Sequence, residues 1–237
     1  MKKNRYFLML LFFVMLAGFV GCAKDTREAK IEDAQIAIDN KDFSQAIAIL
    51  GDGSFDLKND PEAASLLASA HMGRAGLDVI KMVDEASQAA TSGATGTFTE
   101  FSKLFSSDPV VLKDRQNDTK AAVDLLSGLP TKTPAQNLQL AVVASADIII
   151  TVGAELTGGF QFDGRPKDIP PSTAITQAIV DRVANDVGFM ADGVAGSGIA
   201  DQELTSDITT IKTELAGPGS TTVTATSLLN YLAKIKG

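Results

Sequence analysis

Apolar residues along much of this chain recur at intervals of three and four, the spacing that gathers them on one face of a helix. The pattern predicts helices near 26–40, 42–51, 61–74, 77–91, 97–106, 109–128, 134–157, 172–194, 201–215 and 225–236. Asp60-Pro61, Asp108-Pro109 and Thr133-Pro134 mark helix starts. Each sets a capping side chain ahead of a proline at the first helical position, where the missing N–H costs nothing. Gly128-Leu129-Pro130 and Gly217-Pro218 mark helix ends. The connections are mostly short, which favours antiparallel neighbours. The fold class this predicts is all-α, with antiparallel helical hairpins packed into a bundle.

Segment 134–157 is the candidate centre. Leu138, Leu140, Val142, Val143, Ile148, Ile149, Ile150 and Val152 surround the helix instead of lining one side. A helix apolar all round is buried on all sides. Gln139, Asp147 and Glu155 argue against a membrane span. The run Ile148-Ile149-Ile150-Thr151-Val152 is strand-like by propensity, and length decides for a helix. Ile175, Ile179, Val183, Val187 and Met190 form a cleaner stripe on the next long helix, which is expected to pack against 134–157. Between these helices, residues 158–172 carry the glycines and prolines of a loop. Phe160 and Phe162 within it are expected to dock it onto the body, with a partner contact as the other reading.

The start of the chain has a different pattern. Lys2, Lys3 and Arg5 precede an apolar run, and no acidic residue occurs before Asp25. The run ends in Leu16-Ala17-Gly18-Phe19-Val20-Gly21-Cys22, and Cys22 is the only cysteine. A basic start, an apolar middle and a small residue before a cut is the layout of a secretory signal. With a cysteine at the cut, the string resembles the lipobox of bacterial lipoproteins. The resemblance implies cleavage before Cys22 and acyl chains on it. At about 0.8 kcal/mol per buried CH₂, two or three chains hold a protein to a bilayer where one would not. Phe19 departs from the usual leucine. Ala23, where a retention signal would have Asp, implies the periplasmic face of the outer membrane over that of the inner membrane.

A second resemblance follows the leader. Asp42, Phe43 and Ala46 match the turn and the close helix contact of the tetratricopeptide repeat, with Ala34 and Ala37 on the preceding helix. Ala37 departs from the usual tyrosine. A second unit begins at Pro61, with Leu67, Ala68 and His71 at the matching positions and Gly76-Leu77 at the turn; Ile80 is a poor match for the expected alanine. The domains expected are a signal peptide over 1–21, a lipidated tether over 22–25, repeat-like hairpins over 26–91, and a helical bundle over 92–237 packed on them. The repeat resemblance implies a concave protein-binding surface. The other reading of 26–91 is a generic alanine-rich hairpin.

Composition narrows the chemistry. Cleavage would remove Lys2, Lys3 and Arg5 from the 21 basic residues, leaving 18 against 29 acidic ones, a net charge of −11. Such a surface argues against nucleic acid and against electrostatic adhesion to anionic lipid, so the acyl chains on Cys22 must make the membrane contact. His71 is the only histidine and Cys22 the only cysteine, which excludes or nearly excludes zinc sites and Cys–His or Ser–His–Asp arrangements. The glycines Gly188, Gly193, Gly196 and Gly198 follow no strand and read as helix termination. Asp52, Ser54 and Asp56 are spaced as calcium ligands, but Leu57 stands where the loop needs glycine and Ala63 where it needs glutamate. Asp147 is either paired with a base such as Arg182, exposed on a helix edge, or part of a site.

No catalytic residue, cofactor or metal is expected. The reading is a lipid-anchored periplasmic scaffold that binds another envelope protein without catalysis. Its alternative is an accessory lipoprotein that holds a small hydrophobic ligand, for example beside a transporter. Cys22→Ala is expected to abolish incorporation of labelled fatty acid and to release the protein from membranes; unchanged attachment would remove the anchor.

Overall fold

The computed structural model describes residues 26–77, 102–198, 206, 209, 212–217 and 222–236. Within them the chain forms helices α1 (Arg27–Asp39), α2 (Phe43–Leu50), α3 (Pro61–Arg74), α4 (Pro109–Ser127), α5 (Pro134–Glu155), α6 (Gln177–Ser197) and α7 (Ala225–Lys236), with a 3₁₀ turn at Ser172–Ala174 before α6. Residues 206, 209 and 212–216 are also helical. The architecture is all-α, as the periodicity predicts. The leader, Cys22, the tether, the helix expected near 77–91 and most of that near 97–106 lie outside the described residues, as does the second helix of the second repeat-like unit.

The sequence markers act as local chemistry requires. Asp60 accepts from the Ala63 N–H and Asp108 from the Val110 N–H, each one residue ahead of its proline. Thr133 forms a reciprocal capping box with Gln136, each side chain bonding the other's backbone. Asp42 caps α2 through the Gln45 N–H. The α1–α2 turn passes through Lys41 at φ 61°, a conformation that glycine adopts more readily.

Helix α5 is the centre of the molecule. Its buried residues run from Leu140 to Gly153 almost without a break. It packs against α4 on one side and α6 on the other, and α3 covers α4. By length and composition α5 could cross a membrane, but it is mostly enclosed by the other helices. The α3 residues Ala64, Ala68 and Met72 join the same apolar core as α4, α5, α6 and α7. A smaller cluster around Ala34, Leu50 and Leu67 holds α1 and α2 to the far side of α3. Hairpins and bundle therefore share α3.

Two expectations need correction. Gly188, Gly193 and Gly196 do not end the helix; they lie within α6, and only Gly198, at φ 72°, terminates it. Gly193 has a different task. A Cβ there would lie 2.5 Å from the Asn137 carbonyl oxygen and 2.9 Å from the Ala141 nitrogen, so its absence lets α6 meet the α5 backbone. The second correction concerns the 158–172 loop. Phe160 is buried and docks the loop, helped by the Gln161 N–H on the Arg165 carbonyl at 2.7 Å, whereas Phe162 is fully exposed. One aromatic ring is enough to pin a loop already closed by its own backbone bonds.

The two glycines of α6 give a paired test. At Gly193, alanine forces two backbones apart, and Gly193→Ala is expected to destabilise by about 1–3 kcal/mol. At Gly188 nothing lies within 4 Å of the would-be Cβ. Gly188→Ala is expected to stabilise by about 0.5–1 kcal/mol through helix propensity. Chemical denaturation of both variants measures the contrast; equal shifts would contradict the close packing of α5 on α6.

Candidate functional site

Polar residues enter the core where α4, α5 and α6 meet. On α5, Asp147 and Thr151 are one turn apart and so share a face; on α6, Arg182 and Asp186 do the same. Helix α4 brings Gln116 and Thr119 against them. Arg182 grips Asp147 with two donors, Nε on Oδ2 at 2.7 Å and Nη2 on Oδ1 at 2.5 Å. The Thr119 hydroxyl donates to Asp147 Oδ1 at 2.5 Å, and Arg182 Nη2 also donates to the Gln116 carbonyl at 3.1 Å. Asp147 is 1% exposed. Of the alternatives left open by the sequence, pairing with Arg182 is the one that holds.

Asp186 sits beside this pair and is also buried. Burial, then the neighbouring Asp147 carboxylate, push its carboxyl up to about 10, and Arg182 opposes them too weakly to prevent it. Asp186 therefore carries a proton at neutral pH, which it shares with Asp147. Two carboxylates beside one guanidinium cannot both be charged cheaply, and holding a proton is the less costly state. Asp186 and Thr151 both lie on the wall of a cavity of about 650 Å³ that is partly open to solvent, with Ile179 and Phe189 adding apolar surface.

A second cluster joins α3 to α4. Arg74 donates to Asp118 through Nε at 2.9 Å and Nη2 at 2.5 Å, and His71 Nδ1 donates to the same carboxylate at 2.7 Å. Burial pushes the Asp118 carboxyl up, but the bonds from Arg74 and His71 outweigh it and leave it below the usual range. His71, the sole histidine, is thereby a fastening between helices. No group of three or more His, Cys, Asp or Glu side chains among the described residues is arranged to hold a metal ion.

The third feature is a groove of about 1000 Å³ between α1, α3 and the start of α5. Its walls are fixed by hydrogen bonds across helices. Gln136 Nε2 donates to the Pro61 carbonyl at 3.0 Å, and Gln139 Nε2 to the Ser65 carbonyl at 3.0 Å and to Ser69 Oγ at 2.9 Å. Arg27 clamps Asp60 at 2.6 Å and Glu62 at 2.7 Å, tying the first turn of α1 to that of α3. The repeat-like residues build the support behind it. Ala34, Ala37 and Ala46 are buried, and the Phe43 ring rests on Gly73, where any Cβ would overlap it. Ile36 is half exposed at the groove's edge, beside the exposed acids Glu28 and Glu32.

Sequence reasoning named Asp147 and Arg182 but missed Asp186, Thr151, Thr119 and Gln116. A signal was available. Asp186 falls three residues after Val183 and four before Met190, inside the apolar stripe of α6. A charged residue within such a stripe must find a partner or keep its proton. The Asp52–Asp56 segment is an acidic turn, with Asp52 held by Lys30 at 2.7 Å.

The raised Asp186 carboxyl has a measurable consequence. The folded chain holds a proton that the unfolded chain releases near pH 4. Its stabilising contribution is therefore complete below that pH and is lost progressively as pH rises toward 10. Asp186→Asn, which keeps the shape without the ionisation, is expected to flatten the fall in melting temperature between about pH 5 and pH 9. Asp147→Asn strands the Arg182 guanidinium and is expected to cost about 3 kcal/mol. Thermal unfolding over a pH series checks both; parallel curves for Asp186→Asn and the parent would show that Asp186 is ionised in both states.

No protein-family model, no curated protein and no solved structure matches this chain.

Proposed function

We propose that this protein is a lipid-anchored helical adaptor on the periplasmic face of the outer membrane, and that it binds a segment of another envelope protein without catalysis. The groove between α1, α3 and α5 carries this reading. It is broad and shallow, its walls are fixed by cross-helix hydrogen bonds, and apolar Ile31, Ile36 and Leu66 line it together with Glu28 and Glu32. A partner segment with apolar anchors and basic flanks suits that surface. A prearranged groove loses little entropy when it is filled. The lipobox-like string around Cys22 supplies the anchor in this reading, and the repeat-like hairpin supplies the binding face.

A second reading, an accessory lipoprotein that holds a small ligand, is favoured by one observation. The cavity beside Asp186 sets apolar surface from Val123, Ile179 and Phe189 among polar side chains, some of them buried.

A photoreactive amino acid placed at Ile36 is expected to crosslink one discrete envelope protein in intact cells, and one at Phe162, more exposed but in the 158–172 loop, is not. Ile36→Asp is expected to lower the yield of a crosslink from Glu32. The same adducts from both positions, or none from the groove, would count against the adaptor.

A further inference from the structure

The cavity beside Asp186 has two properties that packing does not explain. Thr151 Oγ1 and Asp186 Oδ2 are buried on its wall without a hydrogen-bond partner among the described residues. An unmet buried polar atom costs about 1–3 kcal/mol, so a purely structural site would favour apolar atoms there. The charges around the cavity are also unequal. Arg182 is engaged by Asp147, Lys120 by Asp124 and Lys113 by Glu155. Asp181 and Asp186 have no such ion pair among the described residues, and both face the same space.

These features select among ligand classes. An anion would meet Asp147, Asp181 and Asp186 with the nearest guanidinium already committed. A neutral apolar molecule would leave the Thr151 and Asp186 oxygens unmet. A cation satisfies both and can replace the proton on Asp186, and the Ile179 and Phe189 surfaces suit a short apolar body. We propose that this cavity binds a small organic cation, a primary ammonium on a short hydrocarbon body, whose N–H groups donate to Asp186 and Thr151. The proposal rests on the second functional reading and replaces its hydrophobic ligand with an amine.

Binding has a proton consequence. The polar and charged groups that line the cavity with Asp186 include Asp147, Thr151 and Glu155 from α5, Asp181, Arg182 and Asn185 from α6, and Gln116, Lys120 and Asp124 from α4. None of these bases is released to neutralise a second carboxylate. The ammonium therefore takes the place of the proton that Asp186 shares with Asp147, and that proton passes to solvent.

Titration calorimetry of the intact chain in detergent micelles tests this, with n-butylammonium, 1,4-diaminobutane and neutral 1-butanol as probes. Each is run in two buffers of different ionisation enthalpy. The amines are expected to bind with release of about one proton per bound molecule at neutral pH, and butanol is not expected to bind. Asp186→Asn is expected to weaken amine binding about tenfold or more while melting no lower than the parent. Thr151→Val is expected to weaken it by a smaller factor. Equal amine affinity in Asp186→Asn would overturn the proposal. Butanol binding as tightly as the amines would overturn it and leave the second functional reading standing. No heat and no rise in melting temperature with any probe would overturn both.

Discussion

Helix α5 has apolar residues around almost its whole circumference, and water is a poor solvent for every side of it. Burying each of its Ile, Leu and Val side chains is worth about 1.5–3 kcal/mol, so the fold is obliged to surround it. Helices α4 and α6 take the two flanks, and α3 and α7 extend the core outward. With its only cysteine at position 22, the described body has no disulfide to share the task. Enclosing α5 also encloses Asp147, and that carboxylate sets the polar arrangement at the centre. Arg182, Thr119 and the Gln116 carbonyl are recruited around it.

The polar centre has consequences for specificity of packing. Arg182 reaches both Asp147 on α5 and the Gln116 carbonyl on α4, so one side chain fixes α6 against two helices at once. Apolar contacts tolerate small slips; a two-pronged guanidinium on a buried carboxylate does not, because a shifted register leaves a charge unpaired. The Gly193 contact adds a steric limit on the same pair of helices. Asp186 is the exception in this arrangement. It adds a second acid where one base is available, and it keeps a proton as a result. Structure alone does not need that acid, which is why the neighbouring cavity draws a chemical reading.

The outer hairpin obeys different rules. Helices α1 and α2 are held through small residues, Ala34, Ala37 and Ala46, which permit close approach but bury little area. Leu50 and the Phe43 ring add apolar contact with α3, and ion pairs of Arg27 with Asp60 and Glu62 and of Lys30 with Asp52 complete the attachment. The groove lies along this joint. Ile36 is left half exposed along it. The His71–Asp118–Arg74 cluster sits between the two regimes and binds the shared helix α3 to the bundle.

The all-α class, the helix starts at Pro61, Pro109 and Pro134, and the central place of α5 were all legible in the sequence. Each depends on contacts within a few residues, such as Asp60 with the Ala63 N–H, or on the composition of one helix. The pairing of Asp147 with Arg182 was legible only as one of several options. The company of Thr119, Thr151 and Asp186 was not read at all. The hydrogen bonds that join Thr119 to Asp147 and Arg182 to the Gln116 carbonyl span 28 and 66 residues of chain, and helical periodicity says which face a residue occupies, never which neighbour that face meets. For the same reason Phe160 and Phe162 looked alike, as did Gly188 and Gly193. Local hydrogen bonding and side-chain polarity determined the helices from the sequence alone; the cavity, the groove and the protonated acid exist only because long-range packing brought distant faces into contact.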